Sequence, residues 1–127
     1  MKATIQNEQV QQLVSSLNFL KSDIILISFR YNLDQQEKLS HLINVLKKHN
    51  KKIYMVSNTS EFHDKEKLPL FDWYIQKNTD SFSSMELKKL YFDNIDKAVI
   101  YKNKKLGELA QKHLITYLDK QDIVCDF

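Results

Sequence analysis

The sequence predicts an α/β fold: a parallel sheet in three α/β/α layers, incomplete in its elements, within a single domain spanning residues 1–127. Three observations predict it. Residues 24–29 are rich in β-forming residues and apolar on both faces, the pattern of a parallel strand covered by helices, and residues 53–57 read as a second strand. A segment of helical period joins them through short connections, giving a βαβ unit whose crossover is expected to be right-handed. A second helix-then-strand succession follows between residues 96 and 118.

The elements follow in order. Val10, Leu13, Val14, Leu17 and Leu20 fall at helical spacing and predict one helix over 7–20, ended by Lys21-Ser22-Asp23. Ile24-Ile25-Leu26-Ile27-Ser28-Phe29 is the first strand. Asp34-Gln35-Gln36-Glu37 has capping-box spacing and opens a helix whose buried stripe is Leu39, Leu42, Ile43 and Leu46. Lys47, Lys48, Lys51 and Lys52 crowd its end, where cations suit the helix dipole. Ile53-Tyr54-Met55-Val56-Ser57 is the second strand.

Residues 58–80 carry no regular period but hold Phe62, His63, Pro69, Phe71, Trp73 and Tyr74. Long loops in compact domains are often functional; the plainer reading is that these rings pack over the sheet edge. Ser83-Ser84-Met85-Glu86 is a second capping box, before a short helix with Leu87, Leu90 and Tyr91. A helix over 96–112 buries Ala98, Leu106, Leu109, Ala110 and His113 on one side; Gly107 inside it suggests close packing, since glycine there costs about 1 kcal/mol against alanine. Leu114-Ile115-Thr116-Tyr117-Leu118 is the third strand, and Ile123 to Phe127 reads as the start of another element.

Composition narrows the chemistry. The chain has one Gly, one Pro, one Cys and one Arg, where average usage would give about 9 Gly. That scarcity excludes a dinucleotide-binding glycine motif, a phosphate loop and a nucleophile elbow, which need several glycines. One Cys excludes a disulfide framework and a multi-Cys zinc site, and no metal or cofactor is expected. Net charge is +3, and the 19 basic residues include a single Arg, so the signature of a nucleic-acid surface is weak and no nucleic-acid partner is expected. No apolar run approaches the ~18 residues of a membrane span.

In open parallel sheets, ligands bind at the carboxyl ends of the strands. That rule selects Ser28, Phe29, Arg30, Tyr31 and Asn32 after the first strand, Ser57, Asn58 and Thr59 after the second, and Asp119 after the third. Ser28, Arg30, Asn32, Ser57, Asn58 and Thr59 are the candidate pocket lining. Arg30 stands out because a lone guanidinium in a lysine-rich chain offers a planar fork that ammonium cannot copy; it either orients a ligand or pins the next loop. No catalytic residue is assigned. None of His41, His49, His63 and His113 has an acid three residues before it, and His63 in the aromatic segment is the most attractive candidate base. Cys125 reads as a small buried hydrophobe.

Ser22 to Tyr31, with an aspartate before the aliphatics and a small residue, Arg30 and an aromatic after them, resembles a strand of the SGNH hydrolase domains attached to membrane-embedded sugar O-acetyltransferases. Lys52 to Phe62 resembles their next strand and loop, Pro69 stands where they carry Leu-Pro, and Asn103 to Asp119 resembles their late helix and strand, with Cys125 in the segment that follows. The resemblance runs from about residue 10 onward. It implies glycan O-acetyl chemistry through an acyl-serine, a glycan or acyl donor as partner, a membrane acyltransferase domain alongside and an extracytoplasmic location. The family's Gly-Asp-Ser and Asp-x-x-His blocks are absent from these 127 residues. The chain therefore reads as the middle of such a domain, inactive by itself. The alternative is a non-enzymatic α/β interaction module using the aromatic loop 62–74. A receiver-like signalling domain fits less well, since no acidic cluster follows the first strand.

Overall fold

The computed structural model describes residues 2–78, 81 and 83–124, with backbone alone for 2–7 and 124. The elements are α1 (Lys2–Ser15), α2 (Leu17–Lys21), β1 (Ile24–Ile27), α3 (Gln36–Lys47), β2 (Lys52–Val56), α4 (Leu70–Lys77), α5 (Ser84–Asn94), α6 (Lys97–Lys112), β3 (Thr116–Leu118) and α7 (Lys120–Val124). The strands form one parallel sheet in the order β1-β2-β3, with Ile25 beside Ile53, Ile27 beside Met55 and Met55 beside Tyr117. The fold is thus α/β, a parallel sheet flanked by helices, with the element complement of an incomplete α/β domain.

The core lies on one face of that sheet. Ile27, Ile53 and Met55 point into it and meet Leu39, Ile43 and Leu46 of α3 and Leu106, Leu109 and Ala110 of α6 in one cluster. Each Leu, Ile and Met among them, fully buried, contributes about 1.5–3 kcal/mol of apolar transfer. Because strand side chains alternate, Ile24, Leu26, Tyr54, Val56, Thr116 and Leu118 occupy the opposite face. There Ile24 is 54% and Leu26 59% exposed, so the first strand, apolar on both sides, is covered on one.

Several elements depart from the sequence reading. The helix expected over 7–20 breaks at Ser16, whose hydroxyl oxygen accepts the Phe19 N–H and starts α2 in a new phase. The break turns Phe19 into the core, against His49 and under Lys51, and leaves Leu13, Leu17 and Leu20 of the expected stripe exposed. The cap expected at Asp34 and Glu37 lies two residues earlier: the Gln35 side chain accepts the Asn32 N–H, and a 3-10 turn over Leu33–Gln35 leads into α3. The region read as irregular contains α4, which starts after Pro69 and buries Leu70. Pro69 is the N-cap: its extended ψ of 143° keeps it outside the helix, and its carbonyl accepts the Trp73 N–H. Of the aromatics, Phe62 packs edge-on against Phe71 of α4 and Tyr91 of α5.

Other expectations match. Ser83 and Glu86 form the capping box of α5, with the Ser83 N–H donating to the Glu86 carboxylate and the Glu86 N–H to the Ser83 hydroxyl. Asp96 caps α6 through the Ala98 N–H. β3 begins at Thr116, so Leu114 and Ile115 of the expected strand lie outside it: Leu114 follows α6 at φ 54° and is 87% exposed. Residues 120–124 form α7. Cys125 to Phe127 lie outside the described residues.

Candidate functional site

The parallel order brings the segments after β1, β2 and β3 to one end of the sheet, as expected. They meet there as two hydrogen-bond networks of different depth.

The deeper network is a pair of buried amides. Asn58 follows β2, and its side-chain oxygen accepts the Tyr31 N–H at 2.7 Å, tying the β2 end to the β1 end. The Asn58 N–H and Nδ2 both donate to Oδ1 of Asn103 on α6, at 2.8 and 3.0 Å, and Asn103 Nδ2 donates back to the Asn58 carbonyl at 3.2 Å. Tyr117 of β3 donates its hydroxyl to the Asn103 carbonyl at 3.0 Å. Burial, with Asp119 adding to it, pushes the Tyr117 phenol up to about 12, so it stays a neutral donor. The Tyr31 ring is wholly buried; burial and then Asp34 raise its phenol as well.

The second network surrounds Ser57, itself 1% exposed but with partners that lie nearer the surface. Its hydroxyl accepts the Lys120 N–H at 2.8 Å and donates to Asp119 Oδ1 at 3.2 Å; that oxygen also accepts the Gln121 N–H at 2.9 Å. Lys120 Nζ donates to Thr59 Oγ1 at 3.2 Å. Beside it, Gln121 Nε2 donates to Ser60 Oγ at 3.1 Å and to the Tyr91 hydroxyl at 2.8 Å.

The selected residues therefore divide. Asn58 and Ser57 are buried and committed to bonds that hold the strand ends. Thr59 and Asn32 are exposed, and each receives a lysine: Lys120 for Thr59, Lys102 for Asn32 at 3.3 Å. Arg30 pairs with Glu61 at 2.8 Å, its side chain 74% exposed, and so links the loop after β1 to the loop after β2. An ion pair this exposed contributes about 0–1 kcal/mol. Ser28 is exposed and enters neither network. Asn103, Glu61, Tyr91 and Gln121 were not selected from sequence. Only Asn103 carried a signal: it occupies a core position of the α6 period, between Val99 and Leu106, where a polar residue needs a partner.

The strand ends present hydroxyl, amide and ion-paired side chains. Ser57 is held by an acid and a backbone amide, and no histidine reaches it among the described residues. His63 lies exposed in a surface cleft with Asp93, Asp96 and Lys97. The structure does pair one serine with a histidine: His113 Nε2 lies 3.0 Å from Ser40 Oγ. That contact joins α3 to the end of α6. Burial, then Lys112 and Lys47, lowers the imidazole below its usual value, and those neighbouring charges are cations, not an orienting carboxylate. Among the described residues no three His, Cys, Asp or Glu side chains gather as metal ligands, and no helix is long and apolar enough to cross a membrane.

Compared with family models, curated proteins and solved structures, the chain gives no match.

Proposed function

We propose that the chain is the sheet-bearing part of an SGNH-type O-acyltransferase or esterase domain acting on glycan O-acetyl groups, and that it is inactive by itself. The observation that carries this reading is the uneven cover of the sheet. A parallel sheet is normally buried on both faces, yet Ile24 and Leu26 of β1 stand more than half exposed, as in a domain that lacks some of its elements. The order of strands and helices agrees with the resemblance, and the strand ends present hydroxyl, amide and ion-paired groups suited to the wall of a polar pocket. In a complete domain the nucleophile and the base–acid pair come from other segments, an acyl-serine carries the acetyl group, and a glycan or acyl donor is the partner. Attachment to a membrane acyltransferase domain belongs to the same proposal.

The test is turnover of a small acetyl ester by the purified chain. The expected result is no hydrolysis that a serine-directed inhibitor abolishes; inhibitor-sensitive turnover contradicts inactivity. A second reading, a non-enzymatic interaction module, is favoured by one observation: the ring contacts of Phe71, Phe62, Tyr91 and Phe92 run from α4 to α5, with Phe71 36% and Phe92 52% exposed.

A further inference from the structure

We propose that the amino end of the sheet is a docking surface for an anionic membrane, with lysines against the lipid headgroups and Leu114 entering the interface. In a parallel α/β arrangement the strands begin, and the helices between them end, on one side of the molecule. Here that side gathers Lys21 at the end of α2, Lys47 and Lys48 at the end of α3, Lys51 and Lys52 where β2 starts, and Lys112 at the end of α6. Contacts fix them together. Lys51 Nζ donates to the Leu20 and Ser22 carbonyls, and Lys47 Nζ donates to the His113 carbonyl at 2.7 Å. Lys47, Lys51, Lys52 and Leu114 line one cleft.

Charge selects the kind of partner. Across residues 20–24, 47–54 and 111–116, which form this end, there are six lysines and one acid, Asp23. That is a local charge of +5 in a chain whose total is +3, so all other residues together carry −2. Cations suit helix ends, and Lys47 and Lys51 are committed to carbonyls there. Lys21, Lys48, Lys52 and Lys112 are exposed, and none is in an ion pair among the described residues. Leu114 is the second observation. It follows α6 at φ 54°, where glycine or asparagine is favoured, and its side chain is 87% exposed, so folding does not call for leucine there. An apolar residue raised among cations fits a surface where anionic headgroups overlie hydrocarbon. Nucleic acid fits less well, because its phosphates and bases favour guanidinium, and Arg30 lies after β1, at the opposite end of the sheet. The inference stands apart from the acyl reading, since it rests on charge placement and involves neither the uncovered sheet face nor the strand ends.

Flotation of the full chain with lipid vesicles tests it. The chain should float with mixed phosphatidylcholine–phosphatidylglycerol vesicles in about 0.1 M salt and be released in about 1 M salt, where screening shortens from about 10 to 3 Å. It should not float with pure phosphatidylcholine. Lys48→Glu on α3, and separately Lys52→Glu on β2, should each weaken binding by about fivefold or more, the worth of one surface charge. Misfolding of one leaves the other as the test. Leu114→Asn, which suits the left-handed backbone, should weaken binding by a similar factor with an unchanged circular dichroism spectrum. Lys89→Glu, the same charge change at an exposed position on α5, should leave binding unchanged. No flotation with the mixed vesicles overturns the proposal, as does equal binding to both vesicle types. A loss with Lys89→Glu equal to the others, or none with Leu114→Asn, also overturns it. Tighter binding to double-stranded DNA or polyglutamate at the same salt assigns the surface to a soluble polyanion and overturns it too.

Discussion

Asn58 and Asn103 define how the strand ends are held. Two donors of Asn58 converge on one oxygen of Asn103, and both residues are buried. Asn103→Leu fits the apolar surroundings of α6 but leaves those donors without an acceptor. Each orphaned buried group costs about 1–3 kcal/mol, so urea unfolding should register a loss of that order, with activity assays irrelevant to the outcome. His113 makes a prediction in pH. Its imidazole titrates below the ordinary value of about 6.5 because burial and two lysines disfavour its charged form. As pH falls through about 6.5 the unfolded chain takes up a proton that the folded chain refuses, so stability decreases toward acid. Thermal unfolding between about pH 7.5 and 5.5 should show that slope in the native chain and a shallower one in His113→Gln.

The strong local signals at the scale of elements were legible. Both strands of the βαβ unit, the Ser83–Glu86 box and α6 are present, but β1 stops at Ile27, two residues short of the expected end, and α6 buries Val99 and Asn103 while Ala98 of the expected stripe is exposed. The misses come from competing local bonds. Periodicity alone continues a helix through Ser16, but the serine hydroxyl captures the Phe19 N–H and restarts the helix out of phase. Asp34 has the right spacing for a cap, yet Gln35 reaches the Asn32 N–H first. Gly107 shows a different limit. Close packing was the expected reason for it, but a Cβ built there would meet the Tyr117 ring at 3.6 Å, an ordinary contact. Gly107→Ala should therefore stabilise the chain by about 0.5–1 kcal/mol, the usual gain within a helix. An unchanged or lowered unfolding midpoint would show that the ring cannot accommodate the methyl group.

For the molecule as a whole, the parallel fold was readable because aliphatic runs and helical periods alternate along the chain. The uneven cover of the sheet was not. Ile24-Ile25-Leu26-Ile27 reads as a strand buried on both sides, and nothing local states that α3 and α6 share one face. The candidate site was half legible for a similar reason: strand ends can be located by rule, but Glu61, Tyr91 and Gln121 reach them only through the folded arrangement. In the proposed reading, the exposed face of β1, the polar strand ends and a serine that no histidine reaches among the described residues belong to a sheet whose catalytic groups would come from other segments of a larger acyl-transferring domain. Sequencing the coding DNA on either side of this chain tests that account most directly. The account predicts a Gly-Asp-Ser block encoded upstream and an Asp-x-x-His block encoded downstream; flanking DNA that encodes neither would contradict it.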